Sequence, residues 1–177
     1  QTGMPYFLSG NVKVHHGTST STVRTLTISP GVEVSFGQGF GLILGTIWNG
    51  GHYPGALQAV GTSENPIIFT SGADFTVGDQ APGDWAGIVI HGRAVANCAA
   101  GGVVAGCNLT STGNDCESEG GAGFFGGNDD SDDSGRMIFV RSEYAGQEIS
   151  PNNELNAYTF NAVGSGTTLQ FLQAHRG

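Results

Sequence analysis

Leu26-Thr27-Ile28-Ser29-Pro30-Gly31-Val32-Glu33-Val34-Ser35-Phe36 sets two short β-branched runs on either side of a Ser-Pro-Gly corner. Within each run apolar and polar residues alternate, so Leu26, Ile28, Val32, Val34 and Phe36 fall on one face and Thr27, Glu33 and Ser35 on the other. Proline fixes one φ and glycine tolerates a positive one, so the chain turns between two strands that each face a core on one side.

Runs of the same kind recur along the chain, each closed by Gly, Pro, Asn or Asp: Val12–Val14, Leu42–Leu44, Ile67–Thr70, Ile88–Ile90, Met137–Val140, Tyr158–Phe160 and Leu169–Leu172. Leu42 to Ile67 spans 25 residues, Ile67 to Ile88 spans 21 and Ile138 to Tyr158 spans 20. A period of that length without intervening helices predicts a solenoid in which each turn stacks on the last. The alternative, a β-sandwich, places strands every 8–12 residues with hairpin dipeptides between them. This chain has one Asn-Gly, at Asn49-Gly50, and uneven connections. The expected architecture is therefore all-β, a right-handed parallel β-helix forming one domain over residues 1–177.

One interval breaks the spacing. Ile88 and Ile138 are 50 residues apart, and residues 94–135 between them hold seven acids, no base and all three cysteines. The segment reads as an insertion projecting from one coil, and a loop that long commonly carries function or disorder.

Composition narrows the class further. The chain has 31 glycines in 177 residues and 12% charged residues, against typical values of about 7% and 25%. Fifteen acids against six bases give a formal charge of −9, which repels phosphate backbones and anionic headgroups, so nucleic acid is excluded as a natural partner. No window approaches the ~18 apolar residues of a membrane span. Gln1-Thr2-Gly3 has no basic segment before an apolar stretch and is read as a processed or cut start.

Cys98, Cys107 and Cys116 share the polar insertion. They suit one disulfide in an oxidising compartment with one thiol left over, whereas zinc lacks support from any C-x-x-C pair or nearby His.

Further motifs point to a family. Leu26 to Val34, Ala59-Val60-Gly61-Thr62, Asn65-Pro66-Ile67-Ile68-Phe69-Thr70-Ser71 and Trp85-Ala86-Gly87-Ile88 resemble the coils of bacterial secreted right-handed β-helix proteins. Gly126-Gly127-Asn128-Asp129-Asp130-Ser131-Asp132-Asp133-Ser134-Gly135, Val140 to Gly146, Asn153 to Thr159 and Val163-Gly164-Ser165-Gly166-Thr167 add a second set of motifs. Together, over residues 23–177, they resemble a largely uncharacterised family of exported surface and lipoprotein-like β-helices. The resemblance implies a fold and an exported, cell-surface location, and implies no reaction. In such proteins Gln173-Ala174-His175-Arg176-Gly177 is usually followed by Asp-Asp-Gly and further coils, so this chain is expected to be a fragment or to have its open coil covered by another molecule.

Among residues able to carry chemistry, Asp129, Asp130, Asp132 and Asp133 stand first. Four carboxylates in five residues repel unless a cation or strong donors compensate them. Calcium accepts six to eight hard oxygen ligands and suits such a loop, while the competing reading is a solvated turn capped by its own aspartates. Trp48, Tyr53, Phe124 and Phe125 lie in Gly-rich loops where aromatics stack on sugars or cover the solenoid flank. Glu143 and Glu154 are the candidates for paired carboxylates of a polysaccharide hydrolase or lyase. A lyase also needs a base or a carboxylate-holding cation, for which Lys13, Arg93 and Arg141 are the few choices. Glu143 paired with Arg141 at i, i+2 on one strand face is the simpler reading.

His15 and His16 point to opposite faces of a strand, and His52, His91 and His175 are scattered, so the five are read as surface or internally satisfied residues. Gly37-Gln38-Gly39-Phe40-Gly41 lacks the spacing and the helix of a nucleotide loop, and Asn108-Leu109-Thr110 is a glycosylation acceptor only in a glycosylating host.

No catalytic motif emerges. The expected function is that of an extracellular structural or adhesive surface protein. It would associate with itself end to end, or with other surface proteins, with a carbohydrate-binding or carbohydrate-cleaving module as the alternative.

Overall fold

A computed structural model describes residues 6–73, 78–96 and 116–177. Seventeen strands are described in chain order. The first eight are β1 (Tyr6–Leu8), β2 (Val12–Val14), β3 (Arg24–Ile28), β4 (Glu33–Phe36), β5 (Gly41–Leu44), β6 (Thr46–Trp48), β7 (Gly51–Tyr53) and β8 (Gly55–Val60). There follow β9 (Ile67–Ser71), β10 (Gly87–His91), β11 (Cys116–Glu117), β12 (Phe124–Phe125), β13 (Gly135–Glu143), β14 (Glu148–Ser150), β15 (Asn153–Glu154), β16 (Tyr158–Asn161) and β17 (Thr168–His175).

Parallel pairing sorts eleven of them into three sides of a coil, the other six forming antiparallel hairpins. On the first side β3 pairs with β8, β8 with the start of β13, and β13 with the start of β17. On the second, β1, β4, β9 and the latter halves of β13 and β17 follow one another. On the third, the order is β2, β5, β10, β16. Every one of these ladders is parallel, which is the all-β stacked and curled arrangement of a β-helix.

The first and second sides meet at a corner in every coil. In the early coil that corner is Ser29 to Val32, with Gly31 at φ 73°. In β13 and β17 the strand runs through the corner without a break, and Phe139 and Phe171 adopt φ of 50° and 53° there. Their rings stack with centroids 4.4 Å apart. A left-handed φ at a bulky residue is strained, and this ring contact offsets part of the cost.

Inward side chains stack in register from coil to coil. On the third side Val12, Leu42, Ile88 and Tyr158 form one column and Val14, Leu44, Ile90 and Phe160 the next. On the first, Ile28, Ala59, Met137 and Leu169 are aligned. Trp85, fully buried, stacks on Phe36 with centroids 4.8 Å apart and donates its indole N–H to the Glu143 carbonyl at 2.7 Å.

The structure corrects the period. The intervals of 20 to 25 residues join different sides of the coil and not stacked positions, because Leu42, Ile88 and Tyr158 lie on the third side, Ile67 on the second and Ile138 on the first. Residues that truly stack are further apart in sequence: Leu26 on Leu57, Val34 on Phe69 and Leu42 on Ile88. Hairpins and loops leaving the coil account for the uneven lengths. One of these, β6–β7, contains Asn49-Gly50, with φ of 50° and 72° that suit a hairpin turn matched to strand twist.

Removing a side chain from an inward column leaves a cavity that neighbours above and below cannot close. Ile88→Ala is expected to lower the unfolding free energy by about 3 kcal/mol, and Gln170→Ala, on the exposed strand β17, by less than about 0.5 kcal/mol. Denaturant titration of the two variants checks the difference.

Candidate functional site

The outer face of the third side carries Lys13, Ile43, Val89 and Thr159 in register. Its two halves differ. Val89 is 1% exposed because Ala86, Leu155 and Ala122 pack over it. Lys13 and Ile43 instead line a cleft of about 290 Å³.

The β6–β7 hairpin raises one wall of that cleft with Thr46, Trp48 and Tyr53, Ala122 stands in the other, and His15 and Gly17 also line it. Gly45 and Gly55 at the two feet of the hairpin are required by contact. A Cβ on Gly45 would strike the His91 carbonyl and one on Gly55 the Val14 carbonyl. Only glycine lets the hairpin leave the coil so close to its neighbours.

Trp48 is 66% exposed. Of the four aromatic candidates, Trp48 and Tyr53 line the cleft. Phe124 and Phe125 form β12 behind it, half-buried, with Phe125 stacked on the His91 ring at 5.9 Å. The convergence of Lys13, His15 and Ala122 on these aromatics depends on which strands stack and where the insertion folds back.

Neither Glu143 nor Glu154 lines the cleft. Glu143 pairs with Arg141 Nε at 2.8 Å, as the i, i+2 spacing predicts, and accepts a hydrogen bond from Thr70 Oγ1 at 3.1 Å. Glu154 is exposed on the β14–β15 hairpin, its N–H directed at Glu119 Oε1 at 3.5 Å.

The acidic run is held by donors from the chain itself. Arg93 reaches Asp129 Oδ2 at 3.0 Å with Nη2 and Asp132 Oδ1 at 2.8 Å with Nε. Ser131 Oγ–H donates to Asp129 at 2.7 Å, and Ser134 Oγ–H to Asp132 Oδ2 at 2.9 Å. Asp130 accepts the Val95 N–H at 3.0 Å and Asp133 the Gly135 N–H at 2.8 Å. Hydrogen bonding from Ser131 and the nearby Arg93 hold the Asp129 carboxyl below its usual range. Among the described residues no three His, Cys, Asp or Glu side chains gather where they could hold an ion. The compensating base lies at Arg93, some 36 residues upstream, beyond the reach of a local reading.

His91 is 1% exposed beneath the β11–β12 hairpin, and burial drives its pKa down to about 4. His52 is likewise lowered by burial. Cys116 is buried in β11, while Cys98 and Cys107 lie outside the described residues.

A cleft flanked by loops on the side of a parallel β-helix is an arrangement suited to an extended ligand. A family model described as pectate-lyase like beta helix domain matches residues 1–177, and the chain belongs to that family. No curated protein and no solved structure matches the chain.

Asp132 is 4% exposed. Arg93→Ala would leave its carboxylate with the Ser134 hydroxyl as its remaining described donor, so a loss of about 2–4 kcal/mol is expected. Chelator is expected to leave the melting temperature of the wild type unchanged, because the chain's own donors already occupy the run. A chelator-induced fall would show a bound cation instead.

Proposed function

We propose that the chain is an extracellular carbohydrate-binding module of the β-helix class, with the cleft beside the β6–β7 hairpin as its binding site. The observation that carries this is Trp48, largely exposed at the cleft wall, with Tyr53 beside it and Lys13 in the lining. A large aromatic left in water is unfavourable unless a partner covers it, and the apolar face of a sugar ring does so while its hydroxyls meet polar groups. The volume lies at the small end of ligand sites, which commonly run to about 300–1,000 Å³. It would hold a short stretch of glycan.

Among the described residues the cleft lining contains no carboxylate, so two-carboxylate hydrolysis draws no support from them and binding without cleavage is the favoured reading. Export to a bacterial surface fits the family, the low charge content and Cys116, which is engaged in a disulfide. Calcium is not needed by this reading.

A second reading, end-to-end assembly with copies of itself or with other surface proteins, draws on a separate observation. An apolar groove of about 380 Å³, lined by Leu8, Val12, Leu26 and Val32 among others, opens beside β1, β2 and β3, and Phe171 on β17 is 67% exposed. Light scattering that finds monomers at every concentration would remove it.

For the first reading, the wild type is expected to retain members of a glycan array. Trp48→Ala should weaken that binding by tenfold or more, on the order of a hot-spot aromatic. Ile149→Ala, also exposed but on the β14–β15 hairpin, should leave it unchanged. An array on which the wild type retains nothing would overturn the proposal.

A further inference from the structure

Two histidines from different parts of the chain converge on one hairpin. His91 ends β10 and His52 lies in β7, and each directs Nε2 at a backbone carbonyl of the segment containing β11 and β12. The distances are 3.3 Å from His91 to Ala122 O and 3.0 Å from His52 to Gly126 O. A carbonyl only accepts, so both rings carry their proton on Nε2. Their Nδ1 atoms are therefore bare. That of His91 faces the Asn161 amide nitrogen at 3.3 Å, which also donates to Ser118 Oγ at 2.9 Å. That of His52 is buried without a partner.

We infer that the β11–β12 hairpin is an acid-released wall of the cleft, pinned while His52 and His91 are both neutral and loosened when they protonate. A proton on His91 Nδ1 would meet the Asn161 amide donor, and one on His52 would charge a desolvated ring whose Nδ1 is buried without a partner, against which the Gly126 and Gly92 carbonyls and Asp132 give only partial compensation. The charged groups facing the pair are Arg93, which disfavours protonation of His52, and Asp132, which favours it. His52 also disfavours a charge on His91. Ala122 packed with Val89 and Leu155 holds the hairpin by contacts that do not titrate, while Phe125 stacks on the His91 ring itself. Acid therefore weakens the docking of the hairpin by the histidines' share alone and leaves the coil beneath it folded.

The sign follows from burial. Both folded-state pKa values lie below the ordinary 6.5, that of His91 at about 4. The histidines' contribution to docking is thus complete above about pH 6.5 and is lost as pH falls toward 4. Because Ala122 lines the cleft, ligand would be released over the same range. That last consequence rests on the proposed glycan site, whereas the hairpin motion does not.

Hydrogen–deuterium exchange over residues 116–126, corrected for intrinsic rates, tests the motion without any ligand. Between about pH 7.5 and about pH 4.5 the opening of this segment relative to β5 is expected to rise by a factor on the order of ten to a hundred. The double variant His52→Gln with His91→Gln, neutral at both pH values, should change less than about threefold. Equal protection of the wild type at both pH values, or the same loss in the double variant, would overturn the inference. Should the variant not fold, histidine NMR titration of the wild type decides: both rings titrating near the ordinary value would equally overturn it. A chain that binds no glycan would still show the exchange change, so the two proposals fail separately.

Discussion

In-register stacking of parallel strands is the constraint from which the rest of the molecule follows. Once Leu42 sits on Ile88 and Ile88 on Tyr158, the alternation of a strand decides that Lys13, Ile43, Val89 and Thr159 share the opposite face. The interior is filled by columns whose members come from distant parts of the chain, and the exterior is a set of matching rows. A slip of one residue in any coil would exchange the two. The corners absorb what regular strands cannot, through Gly31 in one coil and the left-handed Phe139 and Phe171 in two others.

That constraint also explains what could be read from the sequence. Strands were legible because alternation is a local property: Val12–Val14, Leu42–Leu44, Ile88–Ile90 and Tyr158–Phe160 all fall within third-side strands. The period was not, since strands of neighbouring sides look alike and excursions of different length separate them. β8 went unlisted as a run because Gly55-Ala56-Leu57-Gln58-Ala59-Val60 is rich in small residues that pack against closely spaced backbone. The long insertion was read from its gap and composition, and β10 ends at His91 before it and β13 begins at Gly135.

The site divides along the same line. Trp48 and Tyr53 were recognisable from aromatic character in a Gly-rich stretch, and they do meet in one cleft. Their partners were not recognisable. Lys13 reaches the cleft through the pairing of β2 with β5, and Ala122 through the folding back of a distant segment. The aspartate run depends on distant residues in the same way. Its carboxylates looked like a cation site because only like charges surround them locally, yet Arg93 and the turn's own hydroxyl and amide donors are what the fold brings to them.

The coil and the insertion are therefore joined by two kinds of contact with different physical dependence. Val89, Leu155 and Ala122 make an apolar seal, indifferent to pH over the range where proteins work. Arg93 with Asp129 and Asp132 makes an ionic brace at the insertion's far end, close to where β13 resumes the coil. His52 and His91 are both desolvated by burial, and His52 lies within the field of the brace as well. Burial that deepens the seal lowers the histidines' pKa, and a lowered pKa is what makes their protonation costly to the docked hairpin. The same packing that closes one wall of the cleft thus sets the acidity at which that wall gives way.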